Sequence, residues 1–152
     1  MVPIQIDLPH LAVTDALAAK LAKLLRRGDI VALQGDLGAG KTTLARALLR
    51  ALGITGDVPS PTFTLVQTYE TAVFTVYHFD LYRLKSADEL DELGWDEALA
   101  DGVTLVEWPE RAVGRLPARA LTLHFSMGAD GARSCVVDAP PVWGQRLEGI
   151  AA

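Results

Sequence analysis

The stretch DIVALQGDLGAGKTT, Asp29 to Thr43, decides how this chain folds. Ile30 to Leu33 are apolar without a break, as a strand covered on both faces of a parallel sheet must be. Gly35-x4-Gly40-Lys41-Thr42 then fits the phosphate-loop pattern in full. Its glycines let the backbone curl so that consecutive N–H groups point inward at an anion. Leu44, Ala47, Leu48, Ala51 and Leu52 mark one face of the next helix, closed by Gly53. That helix adds its unpaired N–H groups and the positive end of its dipole.

The expected nucleotide cradle is therefore Gly35, Asp36, Leu37, Gly38, Ala39, Gly40, Lys41, Thr42 and Thr43. Lys41 reaches the β- and γ-phosphates, the Thr42 hydroxyl is a Mg2+ ligand, and Thr43 bonds the α-phosphate. A phosphate loop also needs acids at the ends of neighbouring strands, to hold the metal and orient the attacking group. Asp80 ends the β-rich run TVYHFD and Glu107 ends the apolar run VTLVE. Glu107 reads more as the metal-side acid and Asp80 as the group that orients water, although the pattern alone does not divide their duties. Thr62, in the PSPTF loop, resembles the threonine of a switch loop that closes over phosphate. His78 faces the same side of its strand as Asp80 and reads either as a packed, hydrogen-bonded histidine or as a catalytic one. Trp108 reads as a core aromatic or a lid.

Outward from this centre, Thr14 is expected to cap a first helix with Leu17, Leu21, Leu24 and Leu25 on one face, ended by Gly28. GDVPSPTF is a loop, because its prolines suit neither helix nor central strand. TLVQTYE and AVFTVYHFD pair as a hairpin, and LTLHF and SCVVD form a second one around GADG. Ser86 and Glu89 form a capping box that opens an acidic helix, SADELDELGWDEAL. The tail from Trp143 reads as a short helix. The fold class is α/β: a three-layer P-loop NTPase fold with a mostly parallel central sheet and added antiparallel hairpin strands.

The 152 residues make one domain, 1–152, long enough to bury about 70% of the unfolded surface. No apolar run approaches a membrane span, and the N-terminus lacks the basic start and apolar core of a signal peptide, so cytoplasmic residence is expected. A single cysteine, Cys135, fits a reducing compartment and reads as a small core residue. The net charge of −5 argues against a protein that grips nucleic acid by itself. These residues leave open a small-metabolite kinase, a nucleotide-gated scaffold that does not hydrolyse, and an ATPase that drives another protein's cycle.

Five segments, GDLGAGKTTLARALLRALG, SPTFTLV, YHFDLYRL, ELGWDE and LVEWPER…LP, together resemble the bacterial TsaE family in order and spacing. The resemblance runs from about Pro9 to Val137. Phe63 departs from it, since the family more often carries tyrosine there. It implies Mg2+-dependent ATP hydrolysis in the pathway that makes threonylcarbamoyladenosine in tRNA. It also implies two partner proteins, the threonylcarbamoyl transferase and its non-catalytic companion, which the ATPase binds and resets between rounds. Contact with tRNA is then indirect, and the chain is a monomer or weak oligomer. Carried over residue by residue, Lys41 and Thr42 hold phosphate and Mg2+, Glu107 completes the metal site, Asp80 activates water and Thr62 belongs to the switch loop. The base is expected near Pro9, His10 and Leu11, with Arg133 close by.

Overall fold

A computed structural model describes residues 3–36, 38–59, 61 and 64–150. Seven strands form one sheet in the order β1-β7-β6-β2-β5-β4-β3. They are β1 Ile4–Asp7, β2 Ile30–Gln34, β3 Val66–Glu70, β4 Thr75–Asp80, β5 Val103–Glu107, β6 Leu121–Met127 and β7 Arg133–Asp138. The middle is parallel: β6 with β2, β2 with β5, and β5 with β4. Both flanks are antiparallel, with β3 on β4 and the β6–β7 hairpin extended by β1.

Alternate residues of the central strands point to opposite faces, and each face is covered. Val31 and Leu33 of β2 share a cluster with Leu17 and Leu21 of α1 (Leu11–Leu24) and Leu44 and Leu48 of α2 (Lys41–Ala51). Ile30 of β2, Phe79 of β4 and Val106 of β5 face the other way, onto Leu90, Trp95 and Ala98. Phe79 meets Trp95 edge-on, with ring centroids 5.0 Å apart. Each leucine buried this way contributes about 1.5–3 kcal/mol relative to its exposed state. The three-layer α/β arrangement and both expected hairpins are present.

Three local expectations change. The first helix starts at Leu11 with His10 as its N-cap, and Thr14 lies inside the first turns as a buried residue. Strand β1 delivers the chain through Pro9 directly into the helix, so no free turn remains for Thr14 to cap. The acidic helix is two pieces, a 3-10 helix at Ala87–Leu93 and α3 at Trp95–Asp101. Both bonds of the Ser86–Glu89 capping box form, but Gly94 between the pieces adopts a left-handed φ of 79° that breaks the helical path. The tail is a 3-10 helix at Pro141–Leu147, interrupted at Gly144. Strand β1 adds to the expected set of strands: Ile4 and Ile6 alternate, but their partners on β7 lie far along the chain.

Candidate functional site

The glycine loop leaves β2 at its C-terminal end and enters α2 at Lys41, with Gly40 as N-cap in a left-handed conformation at φ 114°. Gly35 runs so close to β6 that a Cβ there would lie 2.6 Å from the Phe125 carbonyl oxygen. Ala39 N–H donates to the Asp36 carbonyl at 3.2 Å and closes the turn. Leu37 lies outside the described residues. Gly35, Asp36, Gly38, Ala39, Gly40, Lys41, Thr42 and Thr43 thus belong to one strand–loop–helix passage.

Lys41 is buried, and its Nζ donates to the Gly35 carbonyl. The same ammonium lies 3.5 Å from the centroid of the Trp108 ring, a cation–π contact. Burial pulls the ammonium below its ordinary pKa, against the opposing charges of Glu107, Glu110, Asp80 and Asp36. Trp108 is a non-glycine residue at φ 58°, a costly backbone state held by its surroundings. Its ring packs on Tyr82 at 4.9 Å, and Tyr82 in turn lies under Arg111 at 5.8 Å. Trp108 is therefore the ring against the loop lysine rather than a plain core aromatic. Its sequence signal is its position directly after a strand-end acid. Tyr82 carries no such signal.

The two acids are brought together by strand register. Asp80 is paired with Glu107 across β4 and β5, at the C-terminal ends of both strands. Glu107 is buried and accepts two hydrogen bonds, from Thr42 Oγ1 to Oε1 at 2.8 Å and from His78 Nε2 to Oε2 at 2.7 Å. Burial works to raise its pKa, yet those bonds and the nearby charges of His78 and Lys41 hold the carboxyl below its ordinary value. Asp80 is also buried, and its Oδ1 accepts the Tyr82 N–H at 3.0 Å. The pairing of a threonine hydroxyl with a carboxylate oxygen is a hard oxygen donor set of the kind Mg2+ uses, completed in such sites by phosphate and water oxygens. The residues fit the ion.

Thr62 and Phe63 lie outside the described residues. The described residues before and after them make these bonds. Arg46 Nε of α2 donates to the Val58 carbonyl at 3.0 Å, and Leu65 N–H donates to the Pro61 carbonyl at 2.7 Å. The Leu65 carbonyl accepts the Asp80 N–H at 3.0 Å, so the loop ends against the backbone of an acid.

His10, Leu11 and Arg133 meet on the other side of the loop. Leu8 N–H donates to the Arg133 carbonyl at 2.9 Å, which draws the start of α1 onto the start of β7. Pro9, His10, Leu11, Gly40, Thr43 and Arg133 are among the residues lining a cavity of about 290 Å³. Gly40 and Thr43 are common to this cavity and to the phosphate loop, so the two form one continuous depression.

A family model described as threonylcarbamoyl adenosine biosynthesis protein TsaE matches residues 8–135. The TsaE protein of Rickettsia felis is 43% identical over 125 residues, covering 82% of this chain and 73% of that protein. The TsaE protein of Synechocystis is 47% identical over 116 residues, 74% of this chain and 73% of its own length. That of Bacillus subtilis is 40% identical over 127 residues, 83% of this chain and 79% of its own. The crystal structure of Bacillus subtilis YdiB superposes with a TM-score of 0.79 at 30% identity, covering 99% of this chain and 96% of that one.

Proposed function

The chain belongs to the TsaE family of threonylcarbamoyl adenosine biosynthesis proteins, and from that premise we propose that it is a Mg2+-dependent ATPase serving this modification of tRNA. Its task in this reading is to reset the partner pair, the threonylcarbamoyl transferase and its non-catalytic companion, between rounds of modification. It acts as one P-loop domain, in the cytoplasm, and touches tRNA only through those partners.

The observation that carries the proposal is the junction of Thr42, Glu107 and Asp80 at the mouth of the glycine loop. In this reading Thr42 and Glu107 hold Mg2+, which when bound neutralises charge on the phosphate oxygens. Lys41 exchanges the Gly35 carbonyl for β- and γ-phosphate oxygens, and its charge counters the negative charge that grows there. The N–H groups at the start of α2 hold the remaining phosphate oxygens in fixed directions. Asp80 accepts a hydrogen bond from the attacking water and orients it in line with the bond to be cleaved. Thr62 closes over the terminal phosphate with its loop. His10, Leu11 and Arg133 bound the space for the base. Trp108 covers the lysine and keeps bulk water from it.

The isolated chain turns over slowly, and binding to the partners raises the rate by ordering the switch loop or supplying positive charge. The test tracks modified tRNA through several rounds in a mixture of the chain, both partners, ATP, threonine-derived donor and unmodified tRNA. The reading expects many rounds per transferase with the chain present and about one without it. Equal multi-round modification with and without the chain would remove the resetting role.

A further inference from the structure

His78 lies inside β4, fully buried, where an apolar side chain would satisfy a strand covered on both faces. Its Nε2 is bonded to Glu107 Oε2, while its Nδ1 is buried with no hydrogen-bond partner among the described residues. An ionised Glu107 can only accept, so Nε2 is the donor of that bond, and Nδ1 is the ring nitrogen left without a match among the described residues. A buried, unmatched polar nitrogen is destabilising, and an apolar residue of similar shape would avoid it. The histidine must be explained by what it does for Glu107.

Among the described residues each oxygen of that carboxylate has one partner, Thr42 on Oε1 and His78 on Oε2. We propose that His78 is a positioning residue: by holding Oε2 it fixes the rotation of the Glu107 carboxylate and keeps Oε1 on the Thr42 hydroxyl. The inference rests on the Mg2+ role given above to Thr42 and Glu107. Asp80 stands two residues further along the same strand on the same face, so β4 sets the position of both acids. Loss of the His78 bond leaves a carboxylate free to turn, and the cation then meets a disordered ligand.

The test is calorimetric binding of ADP to the full chain, with Mg2+ and with a chelator, for wild type, His78→Leu, His78→Asn, His78→Gln and Glu107→Gln. The glutamine amide reaches the position of Nε2, whereas the asparagine amide falls one methylene short, near Nδ1. His78→Leu and His78→Asn should lose about tenfold of the strengthening that Mg2+ gives ADP, the worth of a hydrogen bond to a charged group. Affinity without Mg2+ should stay within about twofold, and His78→Gln should retain the Mg2+ effect. Thermal melts report folding, and if His78→Leu does not fold, the contrast between Asn and Gln decides. Equal Mg2+ effects in Asn and Gln variants, with Glu107→Gln still impaired, would overturn the positioning role alone. A wild-type chain whose ADP affinity ignores Mg2+ would overturn the cation site itself, and this inference with it.

Discussion

Strands β2 and β5 are buried along nearly their whole length on both faces, β4 is buried through its last three residues, and β5 and β4 end in Glu107 and Asp80. Strands β6, β7 and β1 instead alternate buried and open positions, and the β7–β1 side leads to Arg133 and His10. The first half is a doubly covered slab. In such a slab a strand end is fixed by packing from above and below, which suits groups that must meet within hydrogen-bond distance. The second half is held by pairing and one covered face, and it shapes a cavity rather than a contact. Chemistry and recognition of the nucleotide divide along that line in our account.

The largest effect should separate the halves by stability. Phe79→Ala, in the doubly covered slab, should cost about 3–5 kcal/mol in urea denaturation. Val136→Ala, half-buried on the open face of β7, should cost about 1 kcal/mol or less. Next comes turnover. Asp80→Ala and Glu107→Ala should each slow phosphate release by about 10²–10³-fold, the scale of removing one aligned transition-state group. Arg133→Ala should weaken ATP binding by about tenfold or less while leaving kcat unchanged, as a ligand titration beside a saturation curve would reveal. An Arg133 variant that loses kcat instead would erase the division between the halves.

The smallest effect lies in the thiol of β7. Burial pushes the Cys135 thiol up from 9.0 to about 12. A raised pKa means the native state holds its proton while the unfolded chain releases it. The resulting stability is full below about pH 9 and falls as pH rises towards 12. Between pH 9 and 10 the wild type should lose about 1 kcal/mol more than Cys135→Ala in urea denaturation. A thiol reagent at pH 8 should label Cys135 only at the rate of unfolding, in keeping with its complete burial.

The slab is legible in the sequence and the flank only partly so, for reasons of range. Ile30 to Thr43 announces strand, loop and helix through local spacing, and the structure reproduces that order. The two hairpins are local as well. Strand β1 is not: four residues with one buried side chain gain their meaning from β7, more than a hundred residues later. With β1 unread, Thr14 looks like a cap, although the strand delivers the chain to His10 first. The capping box at Ser86 is legible, but it marks a start and is silent on the left-handed Gly94 that divides the helix into two pieces. At the site, acids at strand ends can be named from sequence. Their register, the Thr42–Glu107–His78 chain and the Trp108 ring over Lys41 are products of tertiary packing.

The ATPase proposal is tested most directly by release of inorganic phosphate from Mg2+-ATP by the purified chain, alone and with the two proposed partner proteins, beside Asp80→Ala and Glu107→Ala. Slow release alone, a marked rise with the proposed partners, and loss of that rise in both variants are expected on this proposal. Release that ignores the partners and survives both substitutions, or transfer of the phosphate to a small acceptor in place of water, would contradict it.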